Sequence, residues 1–219
     1  MTEANLYEKA LFYFNNCLSQ SYTQVEQDAS FALCREGAAL TIYFEESNGL
    51  SDWKNNLCFF STPYHLTGED YRCHRGFYRV FMAALPYLEG AILDQTVKRI
   101  TVVGYSHGAA LALLCYDYIY DRRPDLRGNL AGYGFGSPRV FKRGHSSSLR
   151  ERFASFHYYA NRGDIVTHLP LWLFGFRHVK EPDRIGKKGA YSMIDAHRPE
   201  SYQRELALAA ENEKKGAYV

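Results

Sequence analysis

The stretch Gly104-Tyr105-Ser106-His107-Gly108 leaves this chain few ways to fold. Just upstream, Ile100 to Val103 is a short apolar run rich in β-branched residues, which reads as a strand. Downstream, Ala109 to Tyr120 reads as a helix. A serine with glycine two positions to either side, at a strand-to-helix junction, is the pattern of a nucleophile elbow. Attack on a carbonyl needs the serine oxygen clear of the backbone. A sharp turn achieves this but crowds the residues at minus two and plus two, where glycine's missing Cβ makes room. Small residues continue at Ala109, Ala110 and Ala112, where the helix must run close to its sheet. The blander alternative is a glycine-rich turn at an ordinary junction. The strand before and the helix after favour the elbow, because that context is what the motif requires.

The rest of the chain supplies matching parts. Periodicity predicts helices over Leu6–Leu18, Ser21–Leu33, Gly76–Leu93 and Pro199–Glu211, and an elbow helix running to about Asp121 before Pro124. Pro86 should kink or split the third of these. Strands are predicted over Ala38–Phe44, Leu57–Phe60, Ile100–Val103, Leu130–Phe135, Phe153–Ala160 and, at an edge, Phe176–Val179. Strands alternating with helices imply an α/β fold with a mostly parallel central sheet flanked by helices. No repeat or linker divides the 219 residues, so one domain over 1–219 is expected.

Charge excludes one class of function. Lys plus Arg number 26 and Asp plus Glu 24, without the clustered positive excess of a nucleic-acid binder. The short basic pairs Arg122-Arg123 and Lys187-Lys188 read as solvated surface. The longest apolar run, Ala109 to Tyr116, is far short of the ~20 residues of a membrane span. The N-terminal segment lacks the basic start and apolar core of a secretory signal. The five scattered cysteines form no Cys-x-x-Cys, which suggests reduced thiols and a cytoplasmic setting.

A serine nucleophile needs a base within hydrogen-bond reach, and the base needs an acid to orient it. In sheets of this kind such groups sit on loops at the carboxyl ends of strands. Asp164 comes after the Phe153–Ala160 strand and fits the acid, while His197 lies in the loop before the last helix and fits the base. The order Ser106, Asp164, His197 is that of α/β-hydrolases. His178 is the rival base. Asp195 and Asp183 are rival acids, although Asp195 lies too near His197 in sequence to orient it well. Asp117 and Asp121 are placed on the exposed face and end of the elbow helix, and His168 is read as structural. His65, His74, His145 and His157 read as surface or satisfied core residues. No His-Glu-x-x-His or paired-cysteine spacing occurs, so neither metal nor cofactor is expected. The backbone N–H of His107, just after the nucleophile, should be one oxyanion donor.

These blocks, in this order, resemble the class 3 lipase family, the fungal-type branch of the α/β-hydrolases, over roughly residues 38 to 205. Residues 42–47, Ile-Tyr-Phe-Glu-Glu-Ser, resemble the family's Phe-Arg-Gly-Thr/Ser loop, with Glu45-Glu46 standing where the family has Arg-Gly. Asp52-Trp53 and His74-Arg-Gly-Phe77 match the family's next two blocks. Gly104 to Ala112 resembles its Gly-His-Ser-Leu-Gly-Gly-Ala, with His107 in place of the usual leucine. Phe135 to Val140 and Gly163 to Pro170 resemble its Phe-Gly-x-Pro-Arg-Val and Asp-x-Val-Pro-His-Leu-Pro. The resemblance puts the acid on Asp164, the base on His197 (with Tyr202 as the tyrosine that comes after it) and a second oxyanion donor on Ser47.

It implies a serine ester hydrolase acting on acylglycerols or other lipid-like esters, with transient contact to a lipid surface as a further expectation. The short, partly apolar segment from Asn48 to Tyr64 argues instead for smaller soluble esters. A catalytically silent binding protein, or a thioesterase or acyltransferase using the same serine, are the alternatives. Trp172, Leu173 and Phe174, just after the acid loop, read as core or as the wall of an acyl pocket in preference to a membrane-facing lip.

Overall fold

A computed structural model of the chain describes residues 5–45, 60–66, 71–142 and 147–216. In chain order its elements begin with helix α1 (Leu6–Ser19) and strands β1 (Thr23–Val25), β2 (Ala29–Glu36), β3 (Ala39–Phe44), β4 (Ser61–Pro63) and β5 (Arg72–His74). Helix α2 (Arg75–Leu93), strand β6 (Arg99–Tyr105), helix α3 (His107–Arg122), strands β7 (Leu130–Phe135) and β8 (Phe141–Lys142) and helix α4 (Ser147–Arg152) come next. Strands β9 (Phe156–Asn161), β10 (Phe176–Arg177) and β11 (Asp183–Ile185) and helix α5 (Pro199–Lys214) complete it.

The strand before the elbow is the centre of the molecule. β6 lies fourth in a seven-stranded sheet of order β1-β2-β3-β6-β7-β9-β11. β3, β6, β7, β9 and β11 run parallel, and β1 and β2 close one edge antiparallel. The register aligns the strand ends: Phe44 faces Gly104, Tyr105 faces Phe135, and Phe135 faces Tyr159. The loops leaving β3, β6, β7 and β9 therefore emerge along one edge, where sheets of this type hold their ligands.

Both faces of the sheet are covered, and β6 shows why its sequence is almost wholly apolar. Ile100 and Val102 enter the core shared with α2 and α3, while Val103 and Tyr105 enter the core shared with α1 and α5. A strand buried on both sides has no polar face to alternate with. A second, small sheet of order β10-β8-β5-β4 lies outside this layer.

Several expectations need correction. Ser21–Leu33 is not a helix, because it holds β1, a short 3₁₀ turn and the start of β2. Phe31 packs on one core and the adjacent Ala32 on the other, so two-sided burial hid the strand period. The strand expected from Phe153 starts at Phe156. Phe176–Arg177 belongs to the small sheet, and the edge of the main sheet is β11. Of Leu57–Phe60, residues 57–59 lie outside the described residues, and Phe60 is not in a strand. Pro86 neither splits nor ends α2. Pro86 and Met82, whose carbonyl loses its partner, are both on the exposed side of α2, where water can replace the missing N–H.

Two charges read as surface are buried. Asp117 is fully enclosed, where it accepts from Arg152 Nε at 2.8 Å and from the Tyr71 hydroxyl. Burial raises its pKa despite the guanidinium beside it. Arg123 is buried with its guanidinium on the carbonyls of Ile92, Asp94 and Val97, joining the end of α2 to the end of α3.

Candidate active site

The elbow is built by close approach of backbone. A Cβ on Gly104 would overlap the Gly108 carbonyl oxygen, and one on Gly108 would lie 2.6 Å from the Glu45 carbonyl oxygen. Neither position admits a side chain while the strand, the turn and the helix stay where they are. Between them Ser106 has φ 55° and ψ −120°, a conformation costing ~1–3 kcal/mol for a residue with a side chain. Its N–H donates to the Phe135 carbonyl at 2.8 Å, which holds the turn against β7.

Three distant loops meet at this serine. His197 ends a short 3₁₀ turn (Asp195–His197) ahead of α5, and Asp164 lies just past β9. His197 Nε2 lies 2.8 Å from Ser106 Oγ, and His197 Nδ1 lies 2.8 Å from Asp164 Oδ2. A carboxylate only accepts, so Nδ1 carries the proton of the neutral ring and Nε2 is left to accept from the serine hydroxyl. The three residues are 3%, 0% and 2% exposed for Ser106, Asp164 and His197 respectively.

Asp164 has no water shell, and the protein replaces it. Oδ1 accepts the Val166 N–H at 2.8 Å, and Oδ2 accepts the Tyr202 hydroxyl at 2.6 Å as well as the imidazole. Charge-assisted bonds of this kind are the strong ones. Tyr202 in turn accepts the Asn161 N–H at 3.0 Å, and Asn161 Nδ2 donates to the Ala196 carbonyl at 3.1 Å. The end of β9 is thereby tied to the turn that carries His197. Gly136, at φ 58°, closes the other side, since a Cβ there would lie 3.1 Å from the imidazole and 3.2 Å from Asp164 Oδ2. Arg139 holds the acid loop from below through its backbone N–H to Leu169 and its guanidinium to the carbonyls of His168 and Pro170. That contact gives a physical reason for the Pro-Arg and His-Leu-Pro blocks to occur together.

The rival residues are elsewhere. His178 is enclosed between the Thr167 carbonyl, 2.7 Å from its Nε2, and the Tyr158 hydroxyl, 2.6 Å from its Nδ1. Burial lowers its pKa to about 3, so it is a neutral structural ring. Asp195 bonds to Ser192 and pairs with Arg198, and Asp183 starts β11. His168 receives Arg139 through its carbonyl. His74 caps α2 and His157 stacks on Tyr133, whereas His145 lies outside the described residues.

His107 begins α3, so its N–H lies in the first turn, where helix donors lack an intrahelical acceptor. Its ring packs on Phe77 with centroids 5.5 Å apart, and burial, with His74 nearby, holds its pKa down to about 4. Ser47 lies outside the described residues. Trp172 and Leu173 are 62% and 59% exposed, and no residue of the Trp172–Phe174 turn is buried, so the segment is not core. No group of three or more His, Cys, Asp or Glu among the described residues is placed to hold a metal ion. No helix among them is long and apolar enough to cross a membrane.

Residues 41–174, more than half of the chain, match the family model for lipase (class 3). The chain belongs to the class 3 lipase family. It is 29% identical over 169 residues to a lipase of Rhizomucor miehei, a match covering 74% of this chain and 46% of that protein. A lipase of Rhizopus niveus is 26% identical over 165 residues, covering 72% and 42% respectively. The chain thus spans a little under half the length of the curated relatives it matches. Among solved structures, a deletion mutant of the Rhizomucor miehei lipase propeptide complex superposes with TM-score 0.71 at 24% identity, covering 83% of this chain and 67% of that one. A triacylglycerol lipase described as having a serine protease triad as its catalytic centre gives TM-score 0.64 at 26% identity, covering 75% and 64%. The fold is the α/β-hydrolase fold of these lipases, with a mostly parallel sheet between helices.

Proposed function

We propose that this chain is a serine carboxylic-ester hydrolase that cleaves acylglycerols or other lipid-like esters through an acyl-serine intermediate. The observation that carries the reading is the unbroken hydrogen-bond chain from Ser106 Oγ through His197 to Asp164 Oδ2. Ser106 attacks the ester carbonyl as His197 Nε2 takes its proton. The tetrahedral intermediate collapses as the imidazolium returns that proton to the leaving alcohol. Water then repeats the cycle on the acyl-serine and releases the acid. Asp164 fixes the tautomer of His197 and stabilises its charged form. The His107 N–H serves the oxyanion, and Ser47 is proposed as its second donor from the family pattern. Such a donor is worth about 10² to 10³ in rate.

The Rhizomucor and Rhizopus relatives are called lipases, which supports an ester as substrate. A lipid-like ester is supported by exposed apolar side chains on the two loops that carry the acid and the base. Leu171, Trp172 and Leu173 come soon after Asp164, and Met193 and Ile194 precede His197, all of them largely solvent-exposed. Soluble proteins seldom present such groups without a use.

Replacing Ser106 by alanine should abolish hydrolysis of a chromogenic ester and labelling by a fluorophosphonate, with the thermal midpoint nearly unchanged. Hydrolysis persisting in the pure variant overturns the reading. A rate profile over esters of increasing chain length, above and below their solubility limits, tests the lipid-like substrate. A sharp preference for the shortest soluble esters would replace it with a plain esterase.

A further inference from the structure

The residue before the nucleophile does more than complete the turn. Tyr105 ends β6 and is 1% exposed. Its hydroxyl donates to the backbone carbonyl of His197, and its ring stacks on the His197 imidazole with centroids 5.3 Å apart and planes 25° from parallel. Phe14 of α1 meets the same ring edge-on at 5.3 Å, and Tyr202 of α5 does so at 5.7 Å. The phenol is therefore held from three sides and has little freedom to turn.

The turn that carries His197 needs such a support. Its other bonds are mostly local: Ala196 N–H to the Ser192 carbonyl, His197 N–H to the Ile194 carbonyl, and Ser201 Oγ to the Asp195 carbonyl. Asn161 ties it to the strand of the acid. Tyr105 ties it to the strand of the nucleophile, one residue from Ser106 itself.

We propose that Tyr105 is a positioning residue that sets the depth and ring plane of His197 against Ser106, and that its ring face favours the imidazolium formed when His197 takes the serine proton. The hydroxyl–carbonyl bond acts on distance, and the stack acts on charge. A cation within ~6 Å of an aromatic centroid is attracted to its face, and the imidazolium exists only after proton transfer. This second contribution therefore lowers the barrier without tightening substrate binding. The inference rests on the ester-hydrolase reading of the same site.

The test compares Y105F, which keeps the stack and loses the hydroxyl, with Y105L, which loses both. In Y105F, kcat should fall about tenfold, as for one lost hydrogen bond, with KM little changed and the thermal midpoint lowered only by the loss of that donor to the His197 carbonyl. In Y105L, kcat should fall about 100-fold. The rising limb of its kcat/KM pH profile should also move, whereas that of Y105F should not. Wild-type kcat per active site in both variants, or loss of thermal stability alone, overturns the proposal.

One readout does not need turnover. Proton NMR should show a downfield imidazole N–H from the His197–Asp164 pair in the wild type and in Y105F, and exchange broadening of it in Y105L. If the wild type neither hydrolyses esters nor takes the fluorophosphonate, the ester-hydrolase reading falls by itself. The positioning role is then decided by that resonance, and an unchanged signal in Y105L overturns it.

Discussion

The elbow at 104–108 and the turn at 192–198 hold the two ends of one hydrogen bond, yet they are built in opposite ways. The elbow is fixed by main-chain contacts, within itself at Gly104 and with the ends of β3 and β7 at Gly108 and Ser106. Gly104 and Gly108 lie against main-chain atoms, and Ser106 takes an uncommon φ because strand and helix leave no other path. The turn at 192–198 is fixed by side chains from far away, with Tyr105 and Asn161 gripping its carbonyls and Tyr202 bracing Asp164, which it faces. Local sterics write themselves into a short motif. Remote supports leave only scattered, ordinary residues. The proposed nucleophile can therefore be read from five residues, whereas the proposed base must be sought on its loop.

The strongest test of this contrast is whether both ends matter equally once assembled. His197→Ala should cost kcat about as much as Ser106→Ala, on the order of 10⁶-fold, and the double variant should cost no more, because such residues act as a unit. Activity rates on a chromogenic ester decide it. If His197→Ala keeps most of its activity while His178→Ala is dead, the base is the half-buried ring beside Tyr158 and the contrast collapses.

How far each region is legible in the sequence depends on the same physics. The parallel strands β6, read from its 100–103 run, and β7, at 130–135, are readable because apolar runs between helices fit little else than a sheet buried on both faces. Asp164 and His197 stand out once acidic and basic residues are sought on the loops beyond the strand ends. β4, β5 and β8 escape sequence reading because strands of two or three residues carry no period, and β10 is anticipated as a strand but assigned to the wrong sheet. β2 is misread as helix because Phe31 and Ala32 face different cores. Asp117 and Arg152 are 35 positions apart, and no local pattern marks two charges that will be buried together. Tyr202 is visible in the sequence only as a neighbour of the base, and its bond to Asp164 emerges only when α5 docks.

A second test asks how far the elbow helix, unlike the elbow itself, depends on distant partners. Arg152→Ala strands the Asp117 carboxylate inside α3's packing. Removing one member of a buried pair costs ~3–5 kcal/mol, which denaturant titration would read as a large fall in the midpoint. Below that midpoint kcat should be unchanged. A proportional loss of kcat in the fully folded variant would show that helix position, and not backbone contact alone, sets the nucleophile.

On the acid, the contrast predicts a smaller effect. Tyr202→Phe removes one of the donors on Asp164 Oδ2 and leaves the imidazole in place. A hydrogen bond to a charged group is worth ~1.5–3 kcal/mol, so kcat should fall about tenfold to 100-fold, with KM steady. An unaffected kcat would mean that the Val166 N–H and the imidazole alone suffice to hold the acid.

The smallest effect should come from two neutral rings, one in each kind of environment. His107 starts the elbow helix and His178 lies under the acid loop, and burial lowers their pKa values to about 4 and about 3. In the unfolded chain each titrates near ~6.5. Between those values the unfolded state binds protons that the folded state refuses, so stability falls as pH falls. Their contribution is complete above about pH 6.5 and drains away toward pH 4 for His107 and pH 3 for His178. His107→Leu removes one of these groups without stranding a side-chain hydrogen-bond partner among the described residues, whereas changing His178 would orphan the Tyr158 hydroxyl and the Thr167 carbonyl. Thermal midpoints measured at about pH 7 and about pH 4.5, on either side of most of that window, should therefore fall less in His107→Leu than in the wild type. An equal fall would place the acid sensitivity wholly away from the elbow, on the side of the site held by distant side chains.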